Sequence, residues 1–192
     1  LAFDDIEKYN KKNHISNLGE KKVFINSISN QSLSESDLSF LKDNYKKIFK
    51  NIVIEVTEAE NENSNLLQRK LDFIKYTGMK IAVDDYGSVY SNEMRVLSLR
   101  PDIVKVDIGL ISNIDSNTDK QQLVSNLISF CHPKGVKVIA EGVERREELI
   151  TIIKLGIDYV QGYYIGKPNF ELISIDDKIK KEILYLNSIQ NY

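Results

Sequence analysis

Several features that would have settled the class of this chain at once are scarce or missing. Among its 192 residues there is one cysteine, Cys131, so no internal disulfide can form, which fits a reducing compartment. It stands at the end of an expected helix and reads as core packing, although His132 follows it. Only two histidines are present, and no His/Cys cluster with metal-ligand spacing exists, which argues against a zinc or iron site. No apolar run approaches the length of a membrane span and no signal peptide is visible. This segment is therefore not expected to enter a membrane, and a cytoplasmic location is expected, whether or not a parent protein is membrane-attached. The net charge of -2 comes without a Lys/Arg stripe, which argues against a nucleic-acid polymer as partner. Lys178, Lys180 and Lys181 cluster, but Asp176, Asp177 and Glu182 surround them, as on a solvated helix face. No low-complexity linker divides the chain, so a single domain is expected. The sequence begins at Leu1 with no initiator methionine, and an upstream segment is expected.

What is there is an alternation. Strands are expected at Lys22–Asn26, Asn51–Glu58, Met79–Asp84, Asp102–Asp107, Val136–Gly142 and Ile157–Gly162, each a short apolar run closed by polar residues. Helices are expected at Leu1–Asn13, Ser32–Asn44, Ser64–Thr77, Ser91–Leu99, Asn117–Cys131 and Arg145–Leu155, with a last one from Ser174 to the C-terminus. Strand-helix alternation implies a parallel sheet with crossover helices. A doubly wound sheet and a barrel both satisfy it. No Gly-rich phosphate loop follows the first strand, which weakens the dinucleotide-binding reading.

The polar residues at the strand ends favour the barrel. Asn26, Glu55, Asp84 with Asp85, Lys105, Glu141 and Gln161 each stand at or near the C-terminal end of an expected strand. In a (β/α) barrel those ends converge on one mouth, where such folds keep their chemistry. Any one of these acids alone reads equally well as a helix cap or a surface ion-pair partner. Six strand ends of the same kind are not explained that way. Four carboxylates with two neutral amides suit a hard cation, Mg²⁺ or Mn²⁺. Adjacent Asp84 and Asp85 suit two ions activating water against a phosphodiester, with Lys105 orienting the water or neutralising a phosphate oxygen.

These segments resemble those of the EAL domain of cyclic-di-GMP phosphodiesterases. Glu55-Val56-Thr57-Glu58 is similar to its E-[LIV]-T-E strand, and Asp84-Asp85-Tyr86-Gly87-Ser88-Val89-Tyr90-Ser91 to its DDFGTGYSS loop. Pro101 to Asp107 resembles its D-x-[LIV]-K-[IL]-D strand. Ala140-Glu141-Gly142-Val143-Glu144 matches its AEGVE, and Tyr159 to Tyr163 with Pro168 resembles its VQGY…P ending. The resemblance implies a (β/α) barrel that hydrolyses cyclic-di-GMP to linear pGpG at a two-metal site. It implies Asn26, Glu55 and Asp84 on the first ion, Asp84 with Asp85 on the second, and Lys105 holding the attacking water. Glu141 and Gln161 would support the ions and their waters. Glu58 would tether the loop after Asp85, through which a homodimer is implied.

Two departures temper that expectation. The Glu-Ala-Leu tripeptide that names the family is not in this sequence, so residues 1–170 are expected to be a barrel domain short of its first strand or strands, about six of eight. Residues 171–192 are expected to form a C-terminal helix packed on the same domain. With one ion ligand missing, this segment alone is not expected to turn over substrate. Val89 stands where the family usually has Gly, and a β-branched residue strains or reshapes the loop if positive φ is needed there. The competing reading is a catalytically inactive regulatory module that binds cyclic-di-GMP or a protein partner.

Overall fold

The computed structural model describes residues 21–27, 34–56, 64–88, 93–169 and 174–189. It consists of two compact units, one ending at Val83 and the other beginning at Asp84. The expected helix Leu1–Asn13 lies outside the described residues.

In the first unit, strand β1 (Val23–Asn26), helix α1 (Glu35–Tyr45), strand β2 (Ile52–Val56) and helix α2 (Ser64–Thr77) lead into strand β3 (Lys80–Tyr86), whose first four residues belong here. The strands pair in parallel, with Asn26 opposite Glu55 and Glu55 opposite Ala82. Helix α1 starts at Glu35, later than its Ser32 expectation, because Ser34 is the cap. The Asp37 amide donates to Ser34 Oγ at 3.1 Å and the Ser34 amide donates to Asp37 Oδ2 at 3.0 Å. Asn51, expected in a strand, instead closes a 3₁₀ turn (Lys46–Asn51). Its buried side-chain amide donates to the Lys21 carbonyl at 2.8 Å, and the extended chain begins only at Ile52. Tyr45, Phe49, Ile52, Ile74 and Met79 form this unit's core.

The second unit continues from the end of β3 into helix α3 (Glu93–Leu99), strand β4 (Ile103–Val106), the single-turn helix α4 (Ile108–Ile111) and helix α5 (Thr118–Cys131). Strand β5 (Lys137–Ala140), helix α6 (Arg146–Leu155), strand β6 (Tyr159–Val160) and helix α7 (Asp177–Ser188) complete it. Its strand pairs are again parallel, Lys105 opposite Ile139 and Ala140 opposite Val160. All four residues of β4 are buried, the pattern of a parallel strand covered on both faces. Each apolar side chain buried there contributes about 1.5–3 kcal/mol.

Asn117, expected as the first residue of the helix, instead caps α5 and accepts from the Asp119 and Lys120 amides. At the other end of that helix Cys131 is fully buried, and burial pushes its thiol up to about 11, which fits core packing. Helix α7 starts after Asp176, not at Ser174, because the Asp176 carboxylate takes the Lys178 amide at 2.8 Å. Leu186 and Ile183 pack against the core of this unit. Lys178, Lys180 and Lys181 are exposed, while Glu182 turns inward to accept from the Tyr164 hydroxyl at 2.9 Å and from Arg146. Among the described residues no helix is long and apolar enough to cross a membrane.

Candidate active site

In a regular strand adjacent side chains point to opposite faces, so neighbouring carboxylates should not meet. Asp84 and Asp85 escape that rule because Asp85 has φ +58°, a left-handed conformation that aspartate tolerates better than most residues. Its amide donates back to Asp84 Oδ1 at 3.1 Å. The resulting reversal of alternation leaves carboxylate oxygens of Asp84, Asp85 and Glu141 all within 4.8 Å of one another. The sequence implied a strand stopping at Asp84. It runs on to Tyr86, whose carbonyl accepts from the Asp107 amide at 3.0 Å, and whose hydroxyl donates to Glu93 Oε1 at 2.9 Å. Burial, with Glu93 alongside, raises the Tyr86 phenol well above its ordinary range and keeps it a donor.

Like charges this close require a cation. Lys105 supplies it. Its residue is only 5% exposed, and Nζ lies 2.9 Å from Asp84 Oδ1 and 2.7 Å from Glu141 Oε1. The register explains the placement: Lys105 is one residue from the end of β4, and Glu141 follows the end of β5, its amide donating to the Val106 carbonyl at 3.1 Å. The Asp85 carboxyl is held above its usual range by burial first, then by the charges of Asp84 and Asp107, with Lys105 opposing. Asp107 therefore belongs to this electrostatic neighbourhood. It ends the strand motif in the sequence and stands outside the ring of strand-end residues expected there. The signal was available, since it closes an apolar run on a carboxylate as Asp84 does.

Gln161 follows β6, which is shorter than expected at two residues. Its amide donates to the Ala140 carbonyl at 2.8 Å, its carbonyl accepts from the Val143 amide at 3.1 Å, and its side chain is exposed. The next residue must be glycine for a packing reason. A Cβ on Gly162 would stand 2.2 Å from both the nitrogen and the oxygen of Val143. Gly162→Ala is expected to break the Val143–Gln161 bond and to lower stability by about 1–3 kcal/mol in urea titrations, since backbone atoms cannot step aside as a side chain can. An unchanged midpoint would show that the two segments can separate freely.

Asn26, the last residue of β1, and Glu55, one residue from the end of β2, stand as register partners in the first unit, with Glu55 buried. Glu58 and Val89 lie outside the described residues. The second unit thus gathers the carboxylates of Asp84, Asp85 and Glu141 around the Lys105 ammonium, while Asp107 acts on Asp85 through its charge and accepts from the Gly109 amide as the cap of α4. The cluster's all-oxygen donor set, without nitrogen or sulfur ligands, fits a hard divalent cation.

The chain's residues 2–168 match the family model for the EAL domain. Cyclic di-GMP phosphodiesterase PdeF of Escherichia coli strain K12 is 38% identical over 119 residues, which cover 61% of this chain and 16% of that protein. The chain thus spans well under two thirds of that relative's length. Among solved structures, a standalone EAL protein of Vibrio cholerae in its cyclic di-GMP-bound form aligns with a TM-score of 0.74 and 32% identity, covering 83% of this chain and 70% of that one. Klebsiella pneumoniae BlrP1, in a complex with manganese and cyclic di-GMP, aligns with a TM-score of 0.69 and 30% identity over 79% of this chain and 40% of that one. The fold is accordingly of the α/β, (β/α)-barrel class that the alternation implied.

Proposed function

This chain belongs to the EAL domain family, and we propose that it serves the hydrolysis of cyclic di-GMP to linear pGpG, aided by Mg²⁺ or Mn²⁺. The observation that carries the reading is the Lys105 ammonium held between Asp84 and Glu141 beside Asp85. A purely structural cluster of this kind would be costly, because it buries the Lys105 ammonium and crowds like charges beside it. Asp84, Asp85 and Glu141 are the residues of the second unit that would hold the cations. Such ions lower the pKa of bound water and neutralise phosphate charge.

The side chains themselves would then divide the work. Lys105, a point charge paired with Asp84 and Glu141, orients the attacking water. Attack by the water oxygen on phosphorus breaks one P–O bond of the cyclic dinucleotide, leaving a 5′-phosphate and a free 3′-hydroxyl. Glu141, paired with Lys105, keeps the ammonium aimed at that point, and Gln161 offers an exposed amide to the same chemistry. Asn26 and Glu55 remain proposed ion ligands, and Glu58 a proposed tether of the loop after Asp85, on the family resemblance. A homodimer formed through that loop is part of the same reading.

The test is direct. The natural protein carrying this chain is incubated with cyclic di-GMP and Mn²⁺, and products are separated by chromatography. Linear pGpG should accumulate, cease to form when EDTA is added, and form again when Mn²⁺ is restored. Tight binding without any pGpG would sink the enzymatic reading and favour an inactive, ligand-binding regulatory module.

A further inference from the structure

The acid Glu148 takes no part in the cluster just described, yet it is one of the most buried charged residues among those described, at 2% exposure. It sits in the first turn of α6, where a carboxylate ordinarily satisfies one helix-start amide. This one satisfies more. Oε2 accepts from the amides of Glu144 and Arg145, each at 3.0 Å, while Oε1 accepts from the amide of Asn113 at 2.8 Å and from Arg145 Nε at 3.2 Å. The Arg145 guanidinium also reaches Asp115. Helix capping accounts for the Arg145 amide. It does not account for Glu144, nor for Asn113, which lies 35 residues away and itself adopts a left-handed φ of +58°.

These partners are the far ends of two segments. Asn113 follows α4, the turn that leaves β4 and so leaves Lys105. Glu144 and Arg145 close the five-residue connection that begins at Glu141. That connection is fixed at its start by the Glu141 amide on Val106 and at its middle by the Val143 amide on Gln161. Its end is fixed by Glu148. One carboxylate therefore joins the segment behind Lys105 to the segment behind Glu141, the two residues whose side chains form the 2.7 Å ion pair. Burial works to raise the Glu148 carboxyl, but the three backbone donors and Arg145 outweigh it and hold the group below its usual range, so it is an anion in the folded chain.

We infer that Glu148 is a positioning residue: by binding the amides of Asn113, Glu144 and Arg145 it sets the placement of Glu141 against Lys105, and through that pair the affinity of the site for a divalent cation. The part concerning the cation rests on the function proposed above. Glu148→Gln is the discriminating variant. Glutamine keeps the shape and one acceptor oxygen, enough to cap α6. Its NH₂ group would face amides or the guanidinium, all of them donors, so one of the two segments must let go.

Two measurements on the full natural protein decide the matter, Mn²⁺ affinity from the resonance signal of the free ion and amide hydrogen exchange. Glu148→Gln should still melt cooperatively, yet bind Mn²⁺ about tenfold or more weakly, as expected when a group that orients ligands is lost. A merely structural role would lower the melting temperature and leave Mn²⁺ affinity, measured well below it, within twofold of wild type. That result would overturn the inference. Should the wild-type protein take up no Mn²⁺, the cation reading falls by itself. Exchange at the Glu141 and Val143 amides then decides: about tenfold faster exchange in the variant upholds the positioning role, and equal exchange overturns it.

Discussion

Lys105→Met is expected to destabilise the metal-free protein by about 3 kcal/mol, and to slow cyclic di-GMP hydrolysis by about 10³-fold. The stability loss follows from what stays behind. Methionine fills most of the lysine's volume, so little cavity forms, but Asp84 and Glu141 lose their shared counter-charge while remaining beside Asp85. Removing one member of a buried pair costs about 3–5 kcal/mol. The low end applies here because the two carboxylate side chains keep 13% and 17% of their exposure. The rate loss follows from removing a charge worth several kcal/mol at the reacting phosphate, since each 1.4 kcal/mol is tenfold. A divalent cation should compensate the stability in part. Urea titrations with and without Mn²⁺ should show a much larger Mn²⁺-dependent gain for the variant than for wild type. Equal gains would mean that Lys105 and the cation do not answer to the same carboxylates.

Asp84→Asn is expected to abolish hydrolysis to a similar extent while leaving the metal-free protein at least as stable as wild type. The opposite sign is the informative part. Asparagine preserves the side chain's shape and its oxygen acceptor, so the bonds from Lys105 Nζ and the Asp85 amide can persist. What disappears is a negative charge next to Asp85, whose carboxyl is raised partly by Asp84. A carboxyl with a raised folded-state pKa favours folding most when protonated and opposes it as pH climbs past that pKa. Relieving part of the shift should therefore help at neutral pH and matter little in acid. Stability curves at pH 7 and pH 4 check this. A large loss of stability at pH 7 would show that Asp84 is needed for the fold. Retained activity would remove it from the cation site.

The two variants mark what the sequence made visible and what it hid. Apolar runs that end on polar residues were legible as strands, because a parallel strand buried on both faces needs an unbroken apolar stretch and its exit is where polarity returns. Ser64–Thr77 has the same bounds in sequence and structure, and Asn117 caps the helix it was expected to start. The group Asp84, Asp85, Lys105 and Glu141 was legible for the same reason, since strand ends of one sheet face one way. Other features depend on tertiary placement. The extent of β3 past Asp84 rests on a pairing with Asp107, 21 residues beyond Tyr86, that no local pattern announces. Asn51 looked like the start of a strand until its side chain found Lys21. Glu148 looked like any acid in the first turn of a helix, and its tie to Asn113 spans 35 residues.

The left-handed backbone at Asp85 has a consequence for how this position can drift. Conformation there admits Gly, Asn and Asp cheaply and penalises nearly everything else. Chemistry there admits carboxylates, and so Asp or Glu. The two sets overlap in a single residue. A chain released from selection on its cation site would be free to accept Asn or Gly at position 85 with the fold intact. A chain under selection for the cation site proposed above has no neutral neighbour to move to, since aspartate alone meets both demands.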